Sequence, residues 1–415
     1  MLRRAFLVLF GTLALAACTS GGRYGPAGAG PMVLGGPAAG AAIRSDHRVA
    51  ILLPLSGPRA DIGQAMLQAA QLALPAPDSP PLSPKDTRGT PDGAAAAAQQ
   101  AVAEGVGMII GPLTSAETAA VAPIARSAGV PVLAFTNDPA QAQPGVWTLG
   151  ITPGQQVRRL LAAAQAQGKT QFAALLPDTE FGHAMGDALV RATAAAGLPT
   201  PDIRTHAKGM AAINAATRDL SGYANRRGPI EAKIKAARAL GTSEGRREAQ
   251  ELARSPIPPP SFNALLLADT GEELAEIGAL LPYYDIDRGA VQVIGPAIWA
   301  SPASGSGSMT GAWYAAPDPA ARAGLEQGYM AKYNTQPSPL ADLAFDAASI
   351  ARVVATQGPY SVGALSQPAG FLGVDGWIGL LPDGQVRRGL AVFRIERGGP
   401  TMIEPAPQNA GGTGS

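Results

Sequence analysis

Val49-Ala50-Ile51-Leu52-Leu53 is a short, unbroken apolar run closed by the turn residues Ser56-Gly57-Pro58, and a helical pattern from Ile62 to about Leu74 follows it. Short runs that are apolar on both faces belong to strands buried inside a parallel sheet. The pattern then repeats. A helical stretch from Ala94 to Glu104 leads to the strand pattern Gly107-Met108-Ile109-Ile110, and a helix from Thr118 to Ala128, stopped by Gly129, leads to Val130–Phe135. This strand–helix alternation predicts an α/β fold, a parallel sheet with helices on both faces and right-handed crossovers.

The rhythm restarts after Pro153. Gln155–Gln167 reads as helix, Phe172–Leu176 as strand, Gly182–Ala196 as helix and Asp202–His206 as strand. The stretch 210–258, rich in Arg, Lys, Glu and Ala, predicts two exposed amphipathic helices. Phe262–Ala268 and Val291–Ile294 read as strands around a helix at Gly271–Tyr283. The C-terminal third adds a strand near Trp313 and helices around Ala320–Tyr333 and Leu340–Thr356. It ends in an expected hairpin, Trp377–Leu381 with Gly389–Ile395, turned at Pro382-Asp383-Gly384.

The ends read differently. Arg3 and Arg4 precede an apolar run from Ala5 to Ala17, the parts of a secretory leader at 1–17 and too short to span a bilayer. Leu15-Ala16-Ala17-Cys18, with the only cysteine of the 415 residues, is similar to the lipobox of bacterial lipoproteins, in which that cysteine is acylated. That resemblance implies a membrane-tethered, exported protein; the alternative is an ordinary leader with an incidental cysteine. Losing Arg3 and Arg4 takes the formal charge from +1 to about −1, which gives no electrostatic case for nucleic acid. One cysteine allows no internal disulfide, so stability rests on the core. Residues 18–45 read as the lipidated cysteine and a Gly/Ala/Pro-rich flexible tether, reaching about 30 Å on average and at most about 90 Å. Residues 405–415 read as a disordered tail.

The order and spacing of Leu52-Leu53-Pro54-Leu55-Ser56-Gly57, Ile110-Gly111-Pro112-Leu113-Thr114-Ser115, Gly129-Val130-Pro131-Val132-Leu133, Asp178-Thr179-Glu180-Phe181-Gly182 and Gly370–Gly376 resemble the type I periplasmic binding protein fold, leucine-binding-protein group, over nearly all of 47–404. The resemblance implies two doubly wound parallel-sheet lobes joined by three crossovers near 147–152, 296–300 and 373–377. One lobe is then 46–148 with 300–373, the other 149–298 with 375–404, carrying the insertion 210–258. Within the group, Leu52–Gly57, the segment Leu280-Leu281-Pro282-Tyr283-Tyr284, the 210–258 helices and the lipobox most resemble the penicillin-binding-protein activator lipoproteins. The best-known of these carry a long helical-repeat domain first, where this chain has only the 19–45 stretch.

Several residues become site candidates. Thr114 and Ser115 open a helix, where hydroxyls and free N–H groups favour a carboxylate; the plainer role is capping by Ser115. Thr136 and Asn137 end a parallel strand, where ligands bind; a turn at Asn137-Asp138-Pro139 is the alternative. Ser56, in the first of the resembling segments, is a further cleft candidate. Phe181 stands where amino-acid receptors resemble Tyr-Gly, and lacks the hydroxyl. Asp269 and Glu272 follow a strand, where a receptor would set an acid against an ammonium group; capping by Asp269 or Thr270 and dipole matching by Glu272 compete. Gly241-Thr242-Ser243-Glu244-Gly245 matches a nucleophile-elbow string but lies between charged helical stretches. His47, His183 and His206 are scattered, with no metal-ligand spacing and no phosphate loop. No catalytic residue, metal or cofactor is expected.

The leading expectation is a lipid-anchored periplasmic protein that regulates peptidoglycan synthesis by contacting a penicillin-binding protein. Arg226, Arg227, Lys233, Lys235, Arg238, Arg246 and Arg247 offer a docking face for a protein partner or an acidic cell-wall polymer, or simply a solvated surface. The alternative is the solute receptor of an ABC importer for branched-chain amino acids or a related small molecule, closing on a hinge. Thr19, in place of an aspartate, favours the outer membrane.

Overall fold

The computed structural model describes residues 30–34, 47–409 and 411, so the expected leader at 1–17, Cys18 and most of 18–45 lie outside the described residues. After a short strand β1 (Met32–Val33), the first unit runs β2 (Val49–Leu53), α1 (Ala60–Ala73), β3 (Leu82–Asp86), α2 (Pro91–Ala103), β4 (Met108–Ile110), α3 (Ser115–Ser127), β5 (Val132–Ala134) and β6 (Val146–Thr148). The second runs α4 (Pro153–Ala166), β7 (Phe172–Pro177), α5 (Glu180–Ala195), β8 (Asp202–His206), α6 (Met210–Leu220), α7 (Tyr223–Ala239), α8 (Ser243–Ala253), β9 (Ala264–Leu267), α9 (Gly271–Tyr283), β10 (Gln292–Gly295) and β11 (Trp313–Ala316). The chain closes with α10 (Ala323–Tyr333), α11 (Ala341–Ala355), α12 (Val362–Leu365), β12 (Phe371–Gly373), β13 (Gly376–Leu380), β14 (Val386–Arg388), β15 (Ala391–Glu396) and β16 (Gly399–Glu404).

The strands fall into a five-stranded sheet, β3-β2-β4-β5-β6, a seven-stranded sheet, β16-β15-β11-β10-β9-β7-β8, and a small sheet, β1-β12-β13-β14. All neighbours in the first are parallel, and so are β8 through β11 in the second; β15 and β16 join antiparallel. β2, β4 and β9 are buried along their whole length because helices cover both faces. In lobe 1, α1 and α11 pack on one face of the sheet, and α2 and α3 lie over the other. In lobe 2, α4 and α5 cover one face and α6 and α9 the other. The order in which strands are added turns round between the parallel neighbours β2 and β4 in one sheet and β7 and β9 in the other, which creates a crevice at the strand C-termini.

Glycine lets α1, α2 and α5 start directly over the segments they follow. A Cβ on Gly63, Gly93 or Gly182, all in the first helical turn, would stand 2.1 Å from the carbonyl oxygen of Pro54, Thr87 or Pro177 respectively.

Five sequence-based expectations are corrected. Trp313–Ala316 pairs with β10 and β15, so it belongs to lobe 2, and the second crossing lies at 317–322 rather than 296–300. β12–β14 complete the lobe 1 core, so the third crossing lies at 389–390 rather than 373–377. The hairpin pairs β13 with Val386–Arg388, while Ala391–Glu396 goes to the other sheet. The insertion 210–258 holds three helices, not two, because Gly222 and Gly241 break it at positive φ. Neither end is wholly loose. Met32-Val33-Leu34, the only run of large apolar side chains in 19–45, pairs with the open edge of β12, and Leu34 is buried. Pro405 accepts a hydrogen bond from Arg159 at 3.2 Å, and Ala406 is buried in the lobe 2 core.

Gly182→Ala should cost about 1–3 kcal/mol, because the added methyl meets a backbone carbonyl that the helix start cannot move away from. A urea midpoint shifted to lower concentration would check this; an unchanged midpoint would show that the βα junction yields.

Candidate functional site

The strand C-termini of the two lobes face each other across a cavity of about 920 Å3. Its walls come from the segments after β4 and β5, from the crossings at 150–151 and 317–319, from the turn 374–375 between β12 and β13, and from the start of α11. Thr114, Ser115, Thr136 and Asn137 all line it, as the parallel-sheet argument requires.

The hydrogen bonds of these residues run inward. Thr114, not Ser115, is the N-cap of α3. Its Oγ1 accepts from the Glu117 N–H at 3.3 Å and its backbone N–H donates to Glu117 Oε2 at 3.0 Å, a closed capping box, and its hydroxyl donates to the same Oε2 at 2.7 Å. Glu117 is fully buried, and its other oxygen accepts from Thr87 Oγ1 at 2.6 Å. Ser115 Oγ donates to Asp138 Oδ2 at 2.5 Å. That carboxylate also accepts from the Ala140 N–H at 2.9 Å and Gln141 Nε2 at 3.1 Å. Burial opposes its charge, but these donors outweigh burial and hold the Asp138 carboxyl below its ordinary value. Thr136 Oγ1 accepts from the Asp138 N–H at 3.1 Å. Asn137 is exposed and packs its backbone on Gly150, where a Cβ would meet it at 2.6 Å. The carboxylate expected at the start of α3 is therefore supplied by the chain itself.

A second group of charges lines the opposite wall. Asp342 Oδ2 accepts from Arg322 Nε at 2.5 Å, and Arg322 also holds Glu326 at 2.6 Å. Behind Asp342, the fully buried Asp346 accepts from the Val374 N–H at 2.8 Å and the Asp375 N–H at 3.3 Å. Arg388, also buried, lies 3.7 Å from Asp375 and donates to the Leu149 carbonyl at 2.7 Å. Burial, then the charge of Asp375, pushes the Asp342 carboxyl up to about 7 against the pull of Arg322. Burial, then Asp375, raises Asp346; burial raises Asp375 against the pull of Arg388. The i,i+4 aspartates on an otherwise apolar helical pattern were the sequence signal for this group.

The remaining candidates are not part of this cavity. Phe181 and Asp269 line a separate lobe 2 hollow of about 270 Å3 with His206, Lys208 and Glu273. Asp269 caps nothing: its carboxylate lies 3.3 Å from the buried His206 Nε2, and its carbonyl accepts from Trp299 Nε1 at 2.9 Å. Burial pushes His206 down, but Asp269, the Ala207 carbonyl and Glu273 together hold it above its ordinary value. Glu272 lines neither space and is exposed on the first turn of α9. Ser56 instead donates to Asp86 at 2.6 Å, on the exposed turn after β2. Gly241–Gly245 joins α7 to α8, with Thr242 as cap, and no strand precedes it. Among the described residues no cluster of three or more His, Cys, Asp or Glu is placed to hold a metal ion. No described helix is long and apolar enough to cross a membrane.

Residues 47–400 match the periplasmic binding protein family, and the chain belongs to it. Among curated proteins none matches the sequence. The fold is similar to that of a putative branched-chain amino acid ABC transporter protein from Rhodospirillum rubrum, with TM-score 0.65 and 20% identity over 86% of this chain and 99% of that one. It is also similar to the C-domain of LpoA from Haemophilus influenzae, a regulator of PBP1A, with TM-score 0.57 and 16% identity over 86% of this chain and 99% of that domain. The likeness extends over 59% of full-length LpoA, with TM-score 0.58 and 16% identity over 88% of this chain. At these identities the likeness concerns the fold.

The buried acids set a pH dependence. Asp342 keeps a proton in the folded state between 3.8, its ordinary value, and about 7, whereas the unfolded chain has lost it. Its contribution to stability is therefore complete at acid pH and is lost as pH rises through about 7. Asp346, Asp375 and the raised His206 act in the same direction. Asp342→Asn should shrink the fall in unfolding free energy between about pH 5 and about pH 8 by on the order of a few kcal/mol. Equal falls in both proteins, by urea titration, would contradict the assignment.

Proposed function

We propose that the chain is a lipid-anchored periplasmic protein that regulates peptidoglycan synthesis by contacting a penicillin-binding protein. One observation carries this reading over that of an amino-acid receptor: Ser115 holds the chain's own Asp138 carboxylate, and Thr114 is closed into a capping box. A ligand carboxylate has no free hydroxyl to meet at the start of α3. The likeness to the LpoA C-domain over 86% of the chain supports the same reading. Regulation by contact needs no chemistry in this protein, only a surface that favours one state of the partner.

The insertion is the surface we assign to that contact. α7 and α8 pack mainly on each other through Ile234, Ala237 and Ala249, which leaves their charged faces outward. Lys235 and Arg238 border a shallow groove between the two helices. Arg226 is excluded from docking, since its guanidinium donates to the carbonyls of Ser221, Pro258, Tyr284 and Asp285.

A solute-receptor reading keeps one observation in its favour, the cavity of about 920 Å3 between the lobes. Binding of the full chain to purified bifunctional penicillin-binding proteins from the same bacterium separates the two. The expected result is saturable binding that Lys235→Glu with Arg238→Glu weakens roughly tenfold or more. No binding to any of them, together with tight binding of leucine, would establish the receptor reading instead.

A further inference from the structure

Three arginines meet without an acid beside the third crossing between the lobes. Residues 386–390 are tied to residues 149–159 by three hydrogen bonds of 2.7 Å each: Gln155 Nε2 donates to the Val386 carbonyl, Arg388 Nη2 to the Leu149 carbonyl and Arg159 Nε to the Leu390 carbonyl. Side chains alternate along β14, so Val386 and Arg388 are buried and Arg387 between them is exposed. On α4, Arg158 falls between Gln155 and Arg159 in the chain and is exposed as well. Its guanidinium folds back over the first turn of its own helix, where a Cβ on Gly154 would stand 3.4 Å from Nη1. α5 packs beside α4 through Met185, Leu189 and Ala192, which adds the exposed Arg191. Partial desolvation, then the charges of Arg387 and Arg191, hold the Arg158 guanidinium below its ordinary value, and no carboxylate acts the other way.

Among the described residues none of the three makes an ion pair or a side-chain hydrogen bond. Glu404, in the same knot, is held by Arg159 at 2.8 Å. Asp187, one turn before Arg191 on α5, pairs with none of them. Arg158 also lies over the N-terminus of a 14-residue helix, against the positive end of its dipole. Like charges gathered in this way repel, and an anion shared among them turns the repulsion into attraction. Planar guanidinium forks match the paired oxygens of phosphate. Three forks exceed what one carboxylate can use and suit an oxyanion with at least two charges.

We propose that Arg158, Arg191 and Arg387 bind a phosphate-class oxyanion, a phosphate monoester or a diphosphate, at the junction of α4, α5 and β14. None of the three lines the interlobe cavity, and the site does not rest on the regulatory reading. Arg387 belongs to lobe 1 and the other two to lobe 2, so a bound oxyanion bridges the lobes. It thereby favours the arrangement in which the three guanidinium groups lie together.

Isothermal titration of the full chain with pyrophosphate, inorganic phosphate and acetate tests this, at low ionic strength where exposed charges are least screened. Pyrophosphate should bind most tightly, phosphate more weakly and acetate not detectably. Arg158→Gln and Arg387→Gln should each weaken pyrophosphate roughly tenfold, the loss of one charge-assisted contact. Arg397→Gln, on the exposed turn after β15, should leave its affinity unchanged. Sedimentation with phosphatidylcholine vesicles, with and without phosphatidic acid, separates the two sources of phosphate. A gain on adding phosphatidic acid that Arg387→Gln abolishes supports the site and assigns it a lipid headgroup; pyrophosphate binding without that gain supports it for a free ligand. Silence of pyrophosphate at millimolar concentration overturns the proposal, as does a loss with Arg397→Gln equal to the losses with the other two variants.

Discussion

One buried guanidinium stands where the lobes are joined. Arg388 closes β14, the last strand of lobe 1, one residue before the chain crosses for the third time. It donates to Leu149 at the first crossing and faces Asp375 in the turn between β12 and β13. Asp375 in turn shares Asp346 with Val374 through backbone N–H donors, which anchors that turn to α11. Gly373 makes this possible, since a Cβ there would stand 2.4 Å from the Asp346 carboxylate. Removing one partner from such a buried network leaves an uncompensated charge, typically a loss of about 3–5 kcal/mol. The geometry of the cavity, whose wall includes Val374 and Asp375, depends on this knot.

The cavity takes the position of a ligand site from its two parallel sheets, while the hydroxyls at the start of α3 are bound within the chain itself. Position follows from topology: both sheets reverse order at their second and third strands, and both crevices open toward the same space. Chemistry follows from a few side chains. Asp138 takes the Ser115 hydroxyl into a self-satisfied turn, and burial holds the acids on the α11 side, Asp342 and Asp375, toward their protonated forms. Family membership states what the fold is, and the side chains state what it can hold.

Much of this was legible in the sequence, for physical reasons that also mark where legibility stops. β2, β4 and β9 were readable because strands buried on both faces are continuous apolar runs. β3 was not, because Leu82-Ser83-Pro84-Lys85-Asp86 is a polar edge strand that carries a proline. Trp313–Ala316 was readable as a strand but not as a member of lobe 2, since partner choice is set by non-local pairing with β10 and β15. β14 hid behind Arg387-Arg388, whose second arginine looks like surface and is buried. Thr114, Ser115, Thr136 and Asn137 were found because strand ends converge; Asp138 was seen only as part of a turn, and Asp342 only as part of a helix. Phe181 and Asp269 were carried by resemblance and lie in a different hollow.

The most direct test is the affinity of leucine for the full chain and for its Asp138→Ala variant, measured by equilibrium dialysis. The substitution vacates Ser115 and the start of α3 while leaving the capping box of Thr114 and Glu117 intact. The expected result is no detectable binding by the unsubstituted protein and a gain of measurable binding in the variant. Binding by the unsubstituted protein that the substitution leaves unchanged or weakens would contradict the claim that this chain fills its own anion site.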